Sequence, residues 1–265
     1  METDIPSSEM SKIIDGFCRK SKIFDNFYKK EISKLKDYTI RWKYNPKQDE
    51  DGICRCSRVC NTKTCNIMLK KHPSELLKNN SPFLIVHEIG HLLQREEGYP
   101  SIQLTTHFLE IFRDKDYNKI SPSLNSMVYD FPVNAKLKEY GFEIPQQCYN
   151  PPINDNSLYF TVKYILRYVL IRRYSLLVSE KCNKEIQECL GKYNNTHLVT
   201  VGNKIFEILN NSSFISADEN VDKISIKFTV EKIFSNLQEF FTFPYKFVLT
   251  FVVNGDCIQI GVKRI

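Results

Sequence analysis

The sequence has little glycine, with nine residues in 265, and a single tryptophan. A glycine-poor chain offers few of the loops that cradle phosphates, so a glycine-loop nucleotide-binding protein is not expected. Aromatic residues are plentiful by contrast, with 18 phenylalanines and 14 tyrosines. Hydrophobic residues make up 42% and charged residues 26%, which excludes a disordered or fibrous chain and predicts a helix-rich globular protein.

Long hydrophobic runs without charges are also missing. The most apolar stretch, residues 159–178, contains two lysine or arginine residues in its first half and the pair Arg172 and Arg173 in its second. Such charges predict a buried or amphipathic helix rather than a membrane span. The first ten residues lack the apolar centre of a signal peptide. We therefore predict a cytoplasmic location and no membrane partner.

No dense run of lysine or arginine accompanies the net charge of +6, and this argues against a nucleic-acid partner. The nine cysteines are an odd number in a chain of this length and do not suggest a disulfide framework. The sequence thus predicts dispersed core or surface thiols at five positions: Cys18, Cys148, Cys182, Cys189 and Cys257.

Hydrophobic periodicity predicts an α+β fold that is mostly helical. In the first part of the chain it predicts a helix over 9–36, a strand over 38–44, a hairpin of 53–60 with 65–69, and helices over 83–97, 102–114 and 123–141. After a proline- and asparagine-rich stretch at 144–156, it predicts helices over 158–178, 180–193, 198–209 and 221–241, and a hairpin of 246–253 with 257–262. This pattern predicts a domain over 1–145 and a helical region over 157–265 that ends in the hairpin.

The motif that carries chemistry is His87-Glu88-Ile89-Gly90-His91, an H-E-x-x-H sequence inside the helix predicted over 83–97. Residues four apart lie one above the other on a helix, so both imidazoles can hold one zinc ion. Glu88 lies next to this face and can take a proton from a zinc-bound water. With only five histidines in the chain, such a match is rare by chance.

The segment from Phe83 to Leu93 resembles the active-site helix of zincin-type, gluzincin-like metallopeptidases. The resemblance covers roughly residues 66–142. It implies a zincin-like catalytic core, a catalytic Zn²⁺, Glu88 as general base, and a peptide or protein substrate that pairs with a strand beside the helix. Residues 65–69 are placed to form that strand.

A third protein ligand is needed, and two candidates remain open. Glu97 stands where a metzincin would have its third histidine, so that pattern is excluded. Glu110 begins an E-x-x-x-D sequence similar to that of thermolysin-like enzymes, and Asp130 begins a D-x-x-x-N sequence similar to the E-x-x-x-N of a related group. We prefer Asp130, because apolar residues share its helical side and a buried carboxylate needs a partner. Asn134 is then expected to support a histidine ligand.

Four cysteines, Cys54, Cys56, Cys60 and Cys65, fall within twelve residues. Their spacing matches no common zinc finger or ribbon, so small buried residues on a hairpin are the preferred interpretation and a second metal site stays open. The leading functional hypothesis is a zinc-dependent peptidase. The alternatives are a regulatory protein that retains a zincin fold without cleaving, and a nucleic-acid binder built on the four-cysteine hairpin.

Overall fold

A computed structural model of the chain describes residues 2–48, 51–59, 62–112, 120–145, 150–152, 158–178, 180–212, 222–241 and 246–265. Over these residues the fold is α+β, mostly helical with two small sheets, which confirms the predicted class. The chain divides into two compact units. Unit 1 comprises Met1–Glu97 and Val133–Pro145, and unit 2 comprises Gly98–Pro132 and Gln146–Ile265. The domain predicted over 1–145 differs from this division, because residues 98–132 belong to unit 2.

Unit 1 is built from a small sheet and helices. Its elements are β1 (Thr3–Ile5), α1 (Ser7–Lys20), α2 (Lys22–Glu31), β2 (Tyr38–Tyr44), β3 (Gly52–Val59), β4 (Thr62–Leu69), α3 (Pro73–Lys78) and α4 (Phe83–Glu96). The strand order is β1-β2-β4-β3, with β2 and β4 parallel and the other two pairs antiparallel. Strand β3 is therefore an edge strand of the described sheet, and β4 is paired on both sides.

The helix predicted over 9–36 is instead two helices that meet at Ser21. Ser21 has an extended backbone (φ −135°), and its hydroxyl accepts a hydrogen bond from the Phe24 amide, so it caps α2. Phe17 and Phe24 are nevertheless both fully buried, with ring centroids 5.2 Å apart. The hydrophobic pattern therefore continues across the break, and hydrophobic spacing alone could not reveal where the helix ends.

Unit 2 holds the remaining elements. They are β5 (Ser101–Leu104), α5 (Thr106–Phe112), α6 (Ile120–Glu139), α7 (Leu158–Ser175), α8 (Glu180–Gly191), α9 (Thr196–Asn210), α10 (Lys223–Leu237), β6 (Phe247–Asn254) and β7 (Cys257–Arg264). Helix α6 begins in unit 2, and its last two turns, from Val133, belong to unit 1. The helix continues through Pro132, although a proline inside a helix usually kinks or breaks it.

The second sheet has the order β5-β7-β6. The predicted C-terminal hairpin is confirmed, because β6 and β7 pair antiparallel around a turn in which Gly255 has φ +58°. The helix predicted over 102–114 is wrong in its first part. Residues 101–104 form β5, which pairs in parallel with β7, a strand more than 150 residues away in the sequence. Pairing at that distance overrides a local helical pattern.

None of the described helices combines the length and the apolar character that crossing a bilayer requires.

Candidate metal centre

Helix α4 presents the two motif histidines on one side. His87 and His91 are four residues apart, and their rings pack edge to face with centroids 4.7 Å apart. Their Nε2 atoms lie 3.1 Å from each other. The helix is held in place by its apolar positions, since Ile85, Ile89 and Leu92 are all at most 1% exposed. The burial of α4 therefore fixes the direction of both imidazoles.

Each histidine is also oriented by an amide. The Nδ1 atom of His87 lies 2.9 Å from the Oδ1 of Asn134, and the Nδ1 of His91 lies 3.1 Å from the Oε1 of Gln94. An amide oxygen only accepts, so each Nδ1 donates and each Nε2 carries a lone pair. The expected contact between Asn134 and a motif histidine is thus confirmed, with the His87 Nδ1 donating and the Asn134 oxygen accepting. Gln94 was missed, although its position three residues after His91 could have indicated it.

The two facing Nε2 lone pairs repel each other unless a cation lies between them. Zinc binds imidazole nitrogen at about 2.0–2.1 Å, which places two tetrahedral nitrogen ligands about 3.3 Å apart. The observed 3.1 Å between the Nε2 atoms is close to that spacing. The residues present therefore fit a divalent zinc ion.

Helix α6 carries Asp130 one turn before Asn134, so both residues occupy one side of the helix. Asp130 is 9% exposed. Two imidazoles and a carboxylate form a common donor set for catalytic zinc. That these residues bind zinc stays a prediction.

A buried guanidinium, that of Arg173, lies near enough to Asp130 for the two charges to interact. Arg173 is 2% exposed, donates to the Met127 carbonyl at 2.7 Å, and lies over the Phe131 ring with 4.3 Å to the centroid. Burial lowers the pKa of Arg173 to about 10, and the negative charge of Asp130 opposes that effect. This residue was not predicted as part of the site, because α7 is distant from α6 in the sequence.

Glu110, the second candidate for the third ligand, lies on α5 and is exposed. Asp130 is nearly buried and Glu110 is exposed, and which of the two carboxylates binds zinc stays a prediction.

Glu88 is almost fully buried, at 3% exposed, and its carboxylate lies against strand β3. A Cβ added at Gly52 would be only 2.2 Å from Oε1 of Glu88 and 2.7 Å from its Cδ. Glycine at position 52 therefore lets the edge strand approach the carboxylate closely. Nothing in the sequence motif indicated this contact, because it joins residues 36 positions apart.

Strand β3 also brings cysteines together. The Sγ atoms of Cys54, Cys56 and Cys65 form a triangle with sides of 3.7, 3.2 and 3.3 Å. Hydrogen bonding with Cys54 and Cys65 lowers the pKa of Cys56 to about 4. Cys60, the fourth cysteine of the pattern, lies outside the described residues. Cys189, predicted to be a thiol, is instead disulfide-bonded, so that prediction is wrong.

Comparison with known proteins gives no assignment: no protein-family model, no curated protein and no solved structure matches the chain. The functional argument therefore rests on the geometry of these residues.

Proposed function

We propose that this protein is a zinc-dependent peptidase in which His87, His91 and Asp130 hold the metal and Glu88 is the general base. The observation that carries the proposal is the pair of Nε2 atoms 3.1 Å apart, each with its Nδ1 engaged by an amide oxygen. Both rings are thereby held in the tautomer that binds a metal through Nε2. The zincin-like character of the core is part of this proposal.

The donor set supports zinc over the harder cations. Magnesium and calcium prefer sites made of oxygen ligands, whereas two imidazoles with one carboxylate suit zinc and leave a position for water or substrate. When bound, the ion supplies a Lewis acid that polarises a peptide carbonyl and acidifies water.

Glu88 supplies the proton acceptor for hydrolysis. Its side chain belongs to the same helical turn as His87, and burial at 3% exposure holds the carboxylate in one place. A carboxylate in that position accepts a proton from the attacking water and returns it to the leaving amine. Such a positioned base contributes about 10²–10⁴-fold to the rate.

The edge strand β3 is the surface on which we place the substrate. Residues 65–69 were expected to serve this purpose, but they belong to β4, which is paired on both sides by β2 and β3. That expectation is corrected, because a strand with two neighbours cannot accept a third. Strand β3 pairs with β4 alone in the described sheet, and its Gly52 touches the general base. An extended peptide added to β3 by main-chain pairing would lie beside Glu88.

The test is the substitution Glu88→Gln, assayed on an unbiased peptide library by mass spectrometry together with zinc content. We expect the zinc content to be unchanged and hydrolysis to fall by about 10²–10⁴-fold, because the amide cannot accept the proton. Glu110→Gln, on the exposed face of α5, is the matched control and should leave hydrolysis unchanged.

Full hydrolysis by the Glu88→Gln protein would contradict the proposed role of Glu88. A wild-type protein that binds zinc but cleaves no peptide in the library would instead favour the non-catalytic, single-partner alternative.

A further inference from the structure

We propose that Cys54, Cys56 and Cys65 form a second zinc site, which is separate from the His87, His91 and Asp130 group and independent of the peptidase proposal. The three Sγ atoms lie 3.2–3.7 Å from one another on the hairpin of β3 and β4. Ligand atoms of three cysteines thus converge at one point, as a shared metal ion requires.

Strand geometry explains why these three residues meet. Cys54 and Cys56 are two apart on β3 and therefore share one face of the sheet. Cys65 is the direct cross-strand partner of Cys56 in the antiparallel register. The same face carries Gly52, which contacts Glu88 of α4, so the three sulfurs lie on the helix-covered side of the hairpin. Two rigid strands thus present the sulfurs.

The three sulfur distances are too long for a disulfide, and two of them, at 3.2 and 3.3 Å, are also shorter than ordinary van der Waals contact. A disulfide needs about 2.05 Å between sulfurs, and the structure gives these three residues as free cysteines. Ordinary van der Waals contact between carbon atoms is already optimal at about 3.5–4.0 Å, and sulfur is larger than carbon. Tetrahedral zinc with bonds of about 2.3 Å to sulfur places its ligands about 3.8 Å apart, so the 3.7 Å side matches that spacing and the other two sides would lengthen by about 0.5 Å on binding.

The three cysteines differ in their exposure to solvent, and this difference suits the entry of a metal ion. Cys65 is fully buried, Cys54 is half-buried and Cys56 is exposed. A thiolate at the surface can capture the ion, and the buried sulfur completes its dehydration. Three soft thiolates select zinc over calcium or magnesium and supply three positions of a tetrahedral ion.

The first experiment measures zinc per full-length chain, purified without chelator, by elemental analysis. Changing Cys54→Ser together with Cys65→Ser should remove one equivalent of zinc. The matched control changes Cys18→Ser and Cys257→Ser, which are also free and partly buried, and should remove none. Wild-type zinc content in the Cys54 and Cys65 variant would overturn the proposal.

A second measurement leaves the cysteines intact. In a His87→Ala, His91→Ala protein loaded with Co²⁺, we expect an intense thiolate-to-cobalt charge-transfer band in the near ultraviolet. Absence of that band, or loss of two of the three thiols to a disulfide on thiol titration, would overturn the proposal. The peptidase proposal fails separately, if the histidine variant keeps all the zinc of the wild type.

Discussion

The two metal sites proposed for this chain are built on different secondary structures. One consists of His87, His91 and Asp130 on helices α4 and α6, and the other of Cys54, Cys56 and Cys65 on strands β3 and β4. In the helical group, both imidazoles are oriented by buried amides. In the strand group, sulfur donors converge through strand register. Helical periodicity places both histidines of the first group in one sequence motif. The second group depends on strand register, which brings together residues of separate strands.

The two groups also differ in what surrounds them. His87 and Asp130 are at most 9% exposed, and Glu88, the proposed general base, is buried as well. Cys56 is exposed at the rim of the hairpin. A buried site with a carboxylate base suits chemistry on a substrate, and an exposed thiolate rim suits an ion that stabilises a hairpin. Four substitutions sharpen this contrast.

The largest effect is expected from Asp130→Ala. Removing one of three ligands should lower zinc affinity at the histidine group by more than about 100-fold, because ligand loss exceeds the cost of losing a supporting residue. Zinc at the cysteine group should be unaffected. Elemental analysis after dialysis measures both, and Glu110→Ala is the control. Zinc loss in Glu110→Ala but not in Asp130→Ala would reverse the ligand assignment.

Asn134→Ala should have the next largest effect. Asn134 is fully buried and fixes the His87 tautomer, so its loss should reduce zinc affinity by about 10–100-fold. Competition with a fluorescent zinc chelator gives the affinity directly. Asn183→Ala, on the exposed side of α8, removes an amide of the same size and should change nothing. Equal affinity in the two variants would show that Asn134 does not orient His87.

Gly52→Ala tests the contact between the edge strand and Glu88, the proposed general base. The added Cβ would be 2.2 Å from Oε1 of Glu88, so the carboxylate or the strand must move. We expect hydrolysis to fall on the order of 10-fold, with the zinc content of the histidine group unchanged. Gly191→Ala is the control, because its added Cβ meets nothing within 4 Å. Unchanged kcat/KM in the Gly52 variant would mean that Glu88 does not depend on β3.

The smallest effect concerns packing rather than ligands. A Cβ at Gly90 would be 2.5 Å from Cγ1 of Val133, where α4 and the end of α6 meet within unit 1. Gly90→Ala should destabilise the protein by about 1–3 kcal/mol, measured from denaturant unfolding. Adding Val133→Ala removes the clashing methyl groups and should recover part of the loss. A double variant less stable than Gly90→Ala alone would argue against this steric explanation.

Much of the fold followed from local patterns. The bounds of β2 agree with the prediction, α4 agrees within a residue, and the C-terminal hairpin pairs as its turn residues indicate. Predictions failed where distant residues decide the local structure. Residues 101–104 are a strand because β7 pairs with them, and the helix predicted over 9–36 breaks at Ser21 because a single hydroxyl caps α2.

The sequence by itself determined that His87, Glu88 and His91 share a helix, because a spacing of four residues equals about one helical turn. It also placed Asp130 and Asn134 on one side of a second helix. Only the tertiary structure decided that these helices bring an amide to His87, that Gly52 touches Glu88, and that Cys65 faces Cys56. The reason is physical: periodicity is a property of neighbouring residues, whereas packing and strand register depend on residues far apart in the chain.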